Sequence, residues 1–238
     1  MATIAPVRDS ILTFWQKMAL GIAAFIIFSF AQFSLRGMVD IRVAPIWIHL
    51  HALVMVAWLA LFVIQPTLIR QGDIARHRKL GSFALIFAAA VVLLCGFSAM
   101  MTVSMGRVPP MFTPPFFLAL NFISLAGFAG MVVAAVLSAR RDNEAHRRYI
   151  VGANVLLMEP ALGRLLPMPL LAPWGEFAIM LIQLATLAIV ARHDLRSLGY
   201  VHRATLASLA VVAVLHSLTE MVGRLPAMER IATSLAAG

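Results

Sequence analysis

Long uninterrupted runs of apolar residues are the feature that most limits how this chain can fold. Lipid offers no hydrogen-bond partner to an open backbone, so an apolar run of about 20 residues is expected to cross a bilayer as a helix. The sequence therefore predicts an all-α transmembrane bundle of about seven helices. The predicted helices cover residues 18–35, 44–69, 80–102, 114–138, 149–168, 175–192 and 204–223.

The composition agrees with a membrane protein. Hydrophobic residues make up 62% of the chain and charged residues only 12%, whereas about 25% of the residues in soluble domains are charged. The net charge of +9 comes from basic residues in short loops, which favours anionic lipid headgroups as partners and argues against nucleic acid. No long polar linker interrupts the runs, so residues 1–238 are predicted to form a single transmembrane domain.

The positions of the basic residues predict which way the helices cross. Most of the 19 Lys and Arg residues fall in segments on the same side of the membrane as the N-terminus. Cytoplasmic loops are enriched in Lys and Arg, so the N-terminus is predicted to lie inside and the C-terminus outside. The first apolar run lacks a small-residue cleavage pattern at its end, so it is predicted to stay as a helix rather than be removed as a signal peptide.

Three of the predicted helices carry a histidine at the cytoplasmic start. One hypothesis is a metal or anion site built where the three helices begin, because imidazole is a common metal ligand and nearby aspartates would orient the rings. The alternative is structural, with the aspartates capping the helix starts and the arginines that follow the histidines pairing with lipid phosphate. The three histidines are His77, His146 and His202.

A second group of polar residues lies inside the predicted helices. His51, Trp58 and Gln65 recur at a seven-residue spacing and therefore share one helix face. Ionisable groups inside a membrane are costly and face the bundle interior, which makes them functional candidates; the alternative is a set of structural contacts between helices. Ser124, a lone hydroxyl, is predicted to bond to its own helix backbone. The remaining members are Asn121, Glu159, Arg164, Gln183, His216 and Glu220.

Glu159 is an acidic member of this group and is directly followed by a proline. Pro160 removes a backbone donor, so the helix is predicted to kink beside the carboxylate. Arg164, the nearest basic residue in sequence, would point to a different side of a regular helix. Glu159 is therefore predicted to have another partner or to carry a proton.

Several of these residues resemble the motifs of an uncharacterised family of bacterial seven-helix membrane proteins. That family has a His-x6-Trp-x6-Gln helix, three helix starts of the types His-Arg-x-Leu-Gly, His-Lys/Arg-Arg-Leu and Val-His-Pro, and a Pro-Ala-x-x-Arg element. The chain departs from the pattern at Tyr149 and Arg203, which stand in place of Leu and Pro. The resemblance implies a bundle in the bacterial cytoplasmic membrane, with no established activity. It covers residues 45–225, through His51, Trp58 and Gln65, residues 77–81, residues 146–149, residues 201–203, and Pro160 with Arg164.

The first functional hypothesis is a redox protein that carries b-type haem. Histidines are common axial ligands of haem iron, and two pairs of histidines fall near opposite faces of the predicted bundle. His51 with His216 is the candidate outer pair, and His77 with His146 is the candidate inner pair. This hypothesis also has a fold-level analogy to cytochrome b561-like bundles.

Two further hypotheses use the same polar residues differently. A proton-coupled transporter would use Glu159, Arg164, His216 and Glu220 as a protonatable path near the middle of the membrane. An accessory or assembly subunit of a larger membrane complex would use the polar stripes as contacts between helices. The sequence lacks a P-loop, a nucleotide-binding glycine motif and a nucleophile elbow, so it does not decide whether the chain is an enzyme.

Overall fold

The apolar runs form long helices that pack side by side. The structure, a computed structural model, describes residues 12–237 and contains no strand in that range. A short 3-10 turn, Ile41–Val43, precedes the second long helix. The helices are α1 (Phe14–Leu35), α2 (Ile46–Arg70), α3 (Ile74–Ser104), α4 (Pro114–Ser138), α5 (Asn143–Leu156), α6 (Glu159–Leu165), α7 (Met168–Leu171), α8 (Gly175–Ser197), α9 (Arg203–Val222) and α10 (Pro226–Ala237).

Six helices within residues 12–237 are long and apolar enough to cross a membrane, namely α1, α2, α3, α4, α8 and α9. Their outer surfaces expose large apolar side chains such as Phe28, Leu93 and Val214. Such surfaces suit a chain whose solvent is lipid, because hydrocarbon does not penalise exposed apolar atoms. The predicted all-α polytopic bundle is confirmed, while the number of crossings and their orientation stay predictions.

The fifth predicted helix, over residues 149–168, is interrupted. Helix α5 ends at Leu156 after 14 residues, and α6 begins at Glu159 and runs for 7 residues. Pro160 lies in the first turn of α6, where a residue without an N–H loses no helical hydrogen bond. The distortion predicted beside Glu159 is confirmed, and it takes the form of a break between two short helices.

Two groups of contacts organise the bundle. Helix α2 packs against α1 and α3, whereas α9 packs against α4, α5 and α8. The broken segment lies between these groups, because α5 contacts α1, α4, α8 and α9, and α6 contacts α1 and α8. Fully buried side chains such as Val91, Phe128 and Val212 fill the interior. The segment with the weakest helical continuity is therefore surrounded by protein, where its freed backbone groups find partners.

The helix starts that carry histidine are capped. Asp73 accepts a hydrogen bond from the backbone N–H of Arg76 at 3.0 Å, and Asp142 accepts one from the N–H three residues on at 2.9 Å. His202 is itself a cap, since its Nδ1 accepts the N–H two residues on at 3.1 Å. Each cap satisfies a backbone donor that a helix start leaves unpaired. The structural role considered for these residues is therefore present.

Candidate functional site

Polar side chains from four helices meet in the interior of the bundle, and we call this group the buried acid cluster. It combines two carboxyl groups, an imidazole, an amide and a hydroxyl, at the point where α4, α6, α8 and α9 approach one another. The exposed fractions of Glu159, Glu176 and His216 are 6%, 6% and 5%, and Gln183 is fully buried. The members are Ser124, Glu159, Glu176, Gln183 and His216.

His216 is held from both sides by residues of α8. Its Nδ1 lies 2.5 Å from Oε1 of Glu176, and its Nε2 lies 3.1 Å from Oε1 of Gln183. An amide oxygen only accepts, so Nε2 carries a proton. The hydrogen bond to Glu176 then exists in two forms, with the shared proton on the carboxyl group or on the imidazole. The carboxyl group and the imidazole therefore share one proton through this hydrogen bond.

Glu159 contributes a second carboxyl group from the break between α5 and α6. Its Oε2 accepts a hydrogen bond from Oγ of Ser124 at 2.5 Å. Glu176 lies close enough for its charge to repel that of Glu159. Within residues 12–237 neither carboxyl group forms an ion pair with Lys or Arg. Two buried carboxylates that have a single histidine and no Lys or Arg beside them within residues 12–237 cannot both be ionised cheaply.

Two polar atoms of the cluster have no partner. Oε2 of Glu176 and Nε2 of Gln183 are buried and make no hydrogen bond within the described part of the chain. Buried polar atoms are nearly always hydrogen-bonded, so an exception marks a place where a water, an ion or a ligand binds. The cluster therefore offers one further acceptor and one further donor beside the histidine.

Two residues that the sequence grouped with Glu159 lie elsewhere. The guanidinium of Arg164 stacks on Phe30, 4.3 Å from the ring centroid, and donates to the carbonyl of Pro160 at 2.7 Å. Glu220 forms an ion pair at 2.6 Å with Arg224, which lies just after the end of the same helix. Neither residue contacts the cluster, so Arg164 and Glu220 do not share a polar path with Glu159 in this structure.

The stripe of polar residues on α2 is divided among different partners. Nδ1 of His51 lies 3.4 Å from Oγ of Ser98. The indole N–H of Trp58 donates to Oδ1 of Asn154 at 3.0 Å. Asn121, on α4, donates to a carbonyl of its own helix at 2.8 Å. These contacts join neighbouring helices or satisfy one helix, and they do not converge on a single ligand.

His77 and His146 come together, as the inner pair requires. Their ring centroids are 6.5 Å apart, and the ring planes are nearly perpendicular at 89°. Nδ1 of His146 bonds to the carbonyl of Ala135 at 2.8 Å. The side-chain amide of Gln65 satisfies both its oxygen and its nitrogen in one orientation. In that orientation the oxygen accepts from the N–H of Gly81 at 3.0 Å, and the nitrogen donates to Nδ1 of His77. Within residues 12–237, Nε2 of each ring has no hydrogen-bond partner.

A cavity of about 320 Å³ opens beside these two histidines. Residues of α1 to α5 enclose it, and we call it the five-helix cavity. Its polar lining includes His77, His146, Gln65, Arg70 and Arg147. The volume falls within the range of about 300–1,000 Å³ that small-molecule sites occupy.

His202 belongs to a different network from His77 and His146. Asp194, fully buried, accepts from the Nε and Nη2 atoms of Arg148 at 3.0 and 2.5 Å, and from the hydroxyl of Thr205 at 2.6 Å. The backbone N–H of His202 donates to the same carboxylate at 3.1 Å, and Nε2 of His202 lies 3.7 Å from Asp142. Among residues 12–237, no three His, Cys, Asp or Glu side chains are placed to hold a metal ion.

The surroundings of this network shift two pKa values. Burial lowers the pKa of the His202 imidazole, and the nearby Arg148 guanidinium acts in the same direction. The N–H of Ala145 holds the pKa of the Asp142 carboxyl below its usual value, and Arg203 strengthens the effect. Neutral His202 is the form that caps α9, because Nδ1 must be unprotonated to accept a hydrogen bond.

The two candidate haem pairs differ in how well they fit an iron. His51 lies on α2 and His216 on α9, which pack in different parts of the bundle, and both ring nitrogens of His216 are already bonded. That pair does not fit axial ligation. His146 donates its Nδ1–H to a carbonyl, which leaves a lone pair on Nε2 for a metal, as in most ligating histidines. Nδ1 of His77 instead accepts from Gln65, so the proton of neutral His77 lies on Nε2. The inner pair is therefore close enough for two axial ligands, and His77 would have to move its proton to Nδ1 and lose the hydrogen bond from Gln65 to act as one.

Comparison with known proteins does not assign this chain to a family. The chain matches no protein-family model, and no curated protein or solved structure is similar to it. The resemblance to bacterial seven-helix proteins and the analogy to cytochrome b561-like bundles stay predictions. Function must therefore be argued from the sites themselves.

The sequence missed two members of the buried acid cluster. Glu176 follows Trp174 at the start of an apolar run and resembles an interfacial residue, yet it lies on the same helix face as Gln183, seven residues on. That spacing was the available signal. The prediction for Ser124 is wrong, because its hydroxyl donates to Glu159 and not to its own backbone. A buried carboxylate is the stronger acceptor, so it captures the hydroxyl.

Proposed function

We propose that this protein is a proton-coupled membrane transporter of a small solute, with the buried acid cluster as its proton-binding group. The observation that carries the proposal is the position of Glu159 and Glu176. Both carboxyl groups are buried and mutually repelling, and no basic side chain within residues 12–237 pairs with them apart from His216. Ionisable groups placed so deep in a membrane bundle are most often part of an ion or substrate path.

The charges of the cluster favour a proton on one of its two carboxyl groups. With Glu176 ionised and His216 protonated, that pair is neutral, and Glu159 must hold a proton because its neighbour is negative. Loss of the Glu159 proton leaves a net negative charge in the interior, which a cationic or hydrogen-bonding solute would compensate. Proton release and solute binding are therefore linked by electrostatics.

The break between α5 and α6 favours a site that changes conformation. Transporters commonly place substrate and ion sites where a membrane helix is discontinuous, because the interrupted backbone exposes groups that a continuous helix would satisfy. Glu159 begins α6 directly after the break. The unpaired atoms of Glu176 and Gln183 lie in the same cluster and supply an acceptor and a donor for a solute or water.

Proteoliposomes with an imposed pH gradient test this proposal. Vesicles that contain the full chain are incubated with a small-molecule extract of cells, and the solutes they accumulate are identified by mass spectrometry. We expect at least one solute to accumulate above protein-free vesicles and to be lost when a protonophore collapses the gradient. Glu159→Gln keeps the hydrogen bond to Ser124 but cannot release a proton, so it should reduce accumulation about tenfold or more.

Glu220→Gln is the matched control, because Glu220 is also a carboxyl group of a membrane helix but pairs with Arg224 outside the cluster. It should leave the accumulation nearly unchanged. Equal loss in both variants would assign the effect to general damage and would contradict the role of Glu159. Accumulation of no solute above protein-free vesicles would refute transport as the function.

Electron transfer through a haem is a second candidate function, favoured by the 6.5 Å separation of the His77 and His146 rings. These two residues would hold the group, which supplies one-electron chemistry when it is bound. An absorption spectrum of the purified protein after haem-replete expression tests it. A Soret band that disappears in His77→Ala and His146→Ala would support this function, and a spectrum without one would exclude it.

A further inference from the structure

The five-helix cavity has a one-sided charge, and this suggests what it binds. Arg70 and Arg147 line it together with His77 and His146, and no Asp or Glu is part of the lining that the structure describes. Arginine stays ionised in proteins, and Glu144, the carboxylate that pairs with Arg147, lies outside the lining, so the lining itself carries positive charge at any ordinary pH. A site with this charge attracts anions and disfavours cations.

Arg147 keeps one donor unused beside the cavity. It pairs with Glu144 and lies over the ring of Trp15, with the guanidinium carbon 5.1 Å from the ring centroid. These two contacts fix the side chain, yet its Nε is buried without a hydrogen-bond partner among the described residues. A buried N–H of a charged group requires an acceptor, and a negatively charged oxygen is the strongest one.

The rest of the lining is mostly apolar, with Phe62, Val132 and Ile150 among its members. The cavity volume of about 320 Å³ is near the lower end of the range for small-molecule sites. This size favours a ligand with one tail over a phospholipid with two. We propose that the five-helix cavity binds a single-tailed organic anion, a medium-chain carboxylic acid, with its carboxylate at Arg147 and its tail against the apolar wall.

Fluorescence quenching by 11-bromoundecanoic acid tests the proposal. The chain has 4 Trp residues, of which Trp15 and Trp58 line the cavity. Trp47→Phe and Trp174→Phe leave these two as the reporters, in the full chain reconstituted into phosphatidylcholine nanodiscs. A bromine atom quenches an indole only at contact distance. We expect saturable quenching by the acid and only weak, non-saturable quenching by its methyl ester, which partitions into lipid without a charge.

Three variants separate binding from partition. Arg147→Gln should weaken the apparent affinity for the acid about tenfold, because a charge-assisted hydrogen bond is lost. Ala84→Phe should abolish saturable quenching without removing a charge, because the side chain of Ala84 lines the cavity. Arg141→Gln is the control, since Arg141 is an exposed arginine outside the cavity lining, and it should leave the affinity unchanged.

Each remaining outcome overturns the proposal. Equal quenching by acid and ester in all variants would show partition into the lipid and no site. A Soret band from the purified protein that is lost in His77→Ala would show that a porphyrin occupies the cavity. Gel filtration checks the fold of Arg147→Gln, and Ala84→Phe provides an independent test if that variant aggregates. The result does not depend on proton-coupled transport, because the buried acid cluster contributes no residue to this cavity.

Discussion

Loss of one partner from the ion pair between Arg148 and Asp194 is expected to destabilise the fold more than the loss of any other charged contact described above. The exposed fractions of the two residues are 1% and 0%, and Nη2 of Arg148 lies 2.5 Å from the carboxylate. Removal of one partner from a buried pair costs about 3–5 kcal/mol, because the other charge stays buried. Glu144 also contacts Arg148, so we expect Asp194→Asn to lower the free energy of unfolding by about 3 kcal/mol.

Thermal unfolding measures this loss. For chains of 150–250 residues, 1 kcal/mol corresponds to a shift of about 2–4 °C in the melting temperature, so Asp194→Asn should melt roughly 6–12 °C below the wild type. Cys95 is the single cysteine and is packed against the core. A thiol-reactive fluorophore therefore reports unfolding in detergent without an added label site.

Two controls decide whether charge is the cause. Arg148→Met combined with Asp194→Asn removes both charges and keeps an acceptor for the Thr205 hydroxyl and the His202 N–H, so it should recover most of the lost stability, because no unpaired charge stays buried. Glu220→Gln breaks an exposed pair and should cost less than about 1 kcal/mol. A shift below about 2 °C in Asp194→Asn, or a double variant no more stable than the single one, would refute the reasoning.

Three further predictions concern single contacts. Burial lowers the pKa of His202, so the stability that this residue contributes is complete above the unfolded pKa of about 6.5 and is lost as the pH falls towards the folded pKa. Between pH 7.5 and 5.5 the melting temperature of the wild type should therefore drop more than that of His202→Asn, a variant that keeps the cap but has no imidazole to protonate. A Cβ at Gly152 would lie 2.7 Å from Oγ of Ser208, so Gly152→Ala should lower the free energy of unfolding by about 1–3 kcal/mol, and Ser208→Ala should recover part of it in thermal melts. Asn154→Leu should cost about 1–3 kcal/mol because it orphans the indole N–H of Trp58, and melts of the double variant with Trp58→Phe should show a smaller loss.

The sequence predicts the helices well, because their ends follow from local chemistry. The predicted range 114–138 coincides with α4, which begins at Pro114, a residue suited to the first helical position. The break beside Glu159 follows from the covalent structure of Pro160. The short helix α10 was not predicted, because its 12 residues are fewer than a membrane span needs. Hydropathy identifies helices long enough to span a membrane, and it does not identify short helices that pack on other helices.

The partners of the polar residues could not be predicted, because they depend on which helices become neighbours. His216 meets Glu176 across 40 residues of sequence, and Trp58 meets Asn154 across 96. The predicted outer pair of His51 and His216 assumed that α2 and α9 face each other, whereas α2 packs against α1 and α3. Spacing along one helix identifies a shared face, and only the packed bundle determines what that face contacts.

The interruption between α5 and α6 has a consequence for biogenesis. Neither short helix is long enough to enter a bilayer alone, and α5 begins with charged residues. The partners that surround this segment include α8 and α9, which leave the ribosome after it. We therefore expect residues 143–165 to insert into the membrane only after α8 and α9 have been synthesised. Glu159 and His216 would then enter the membrane together, as one late step of assembly.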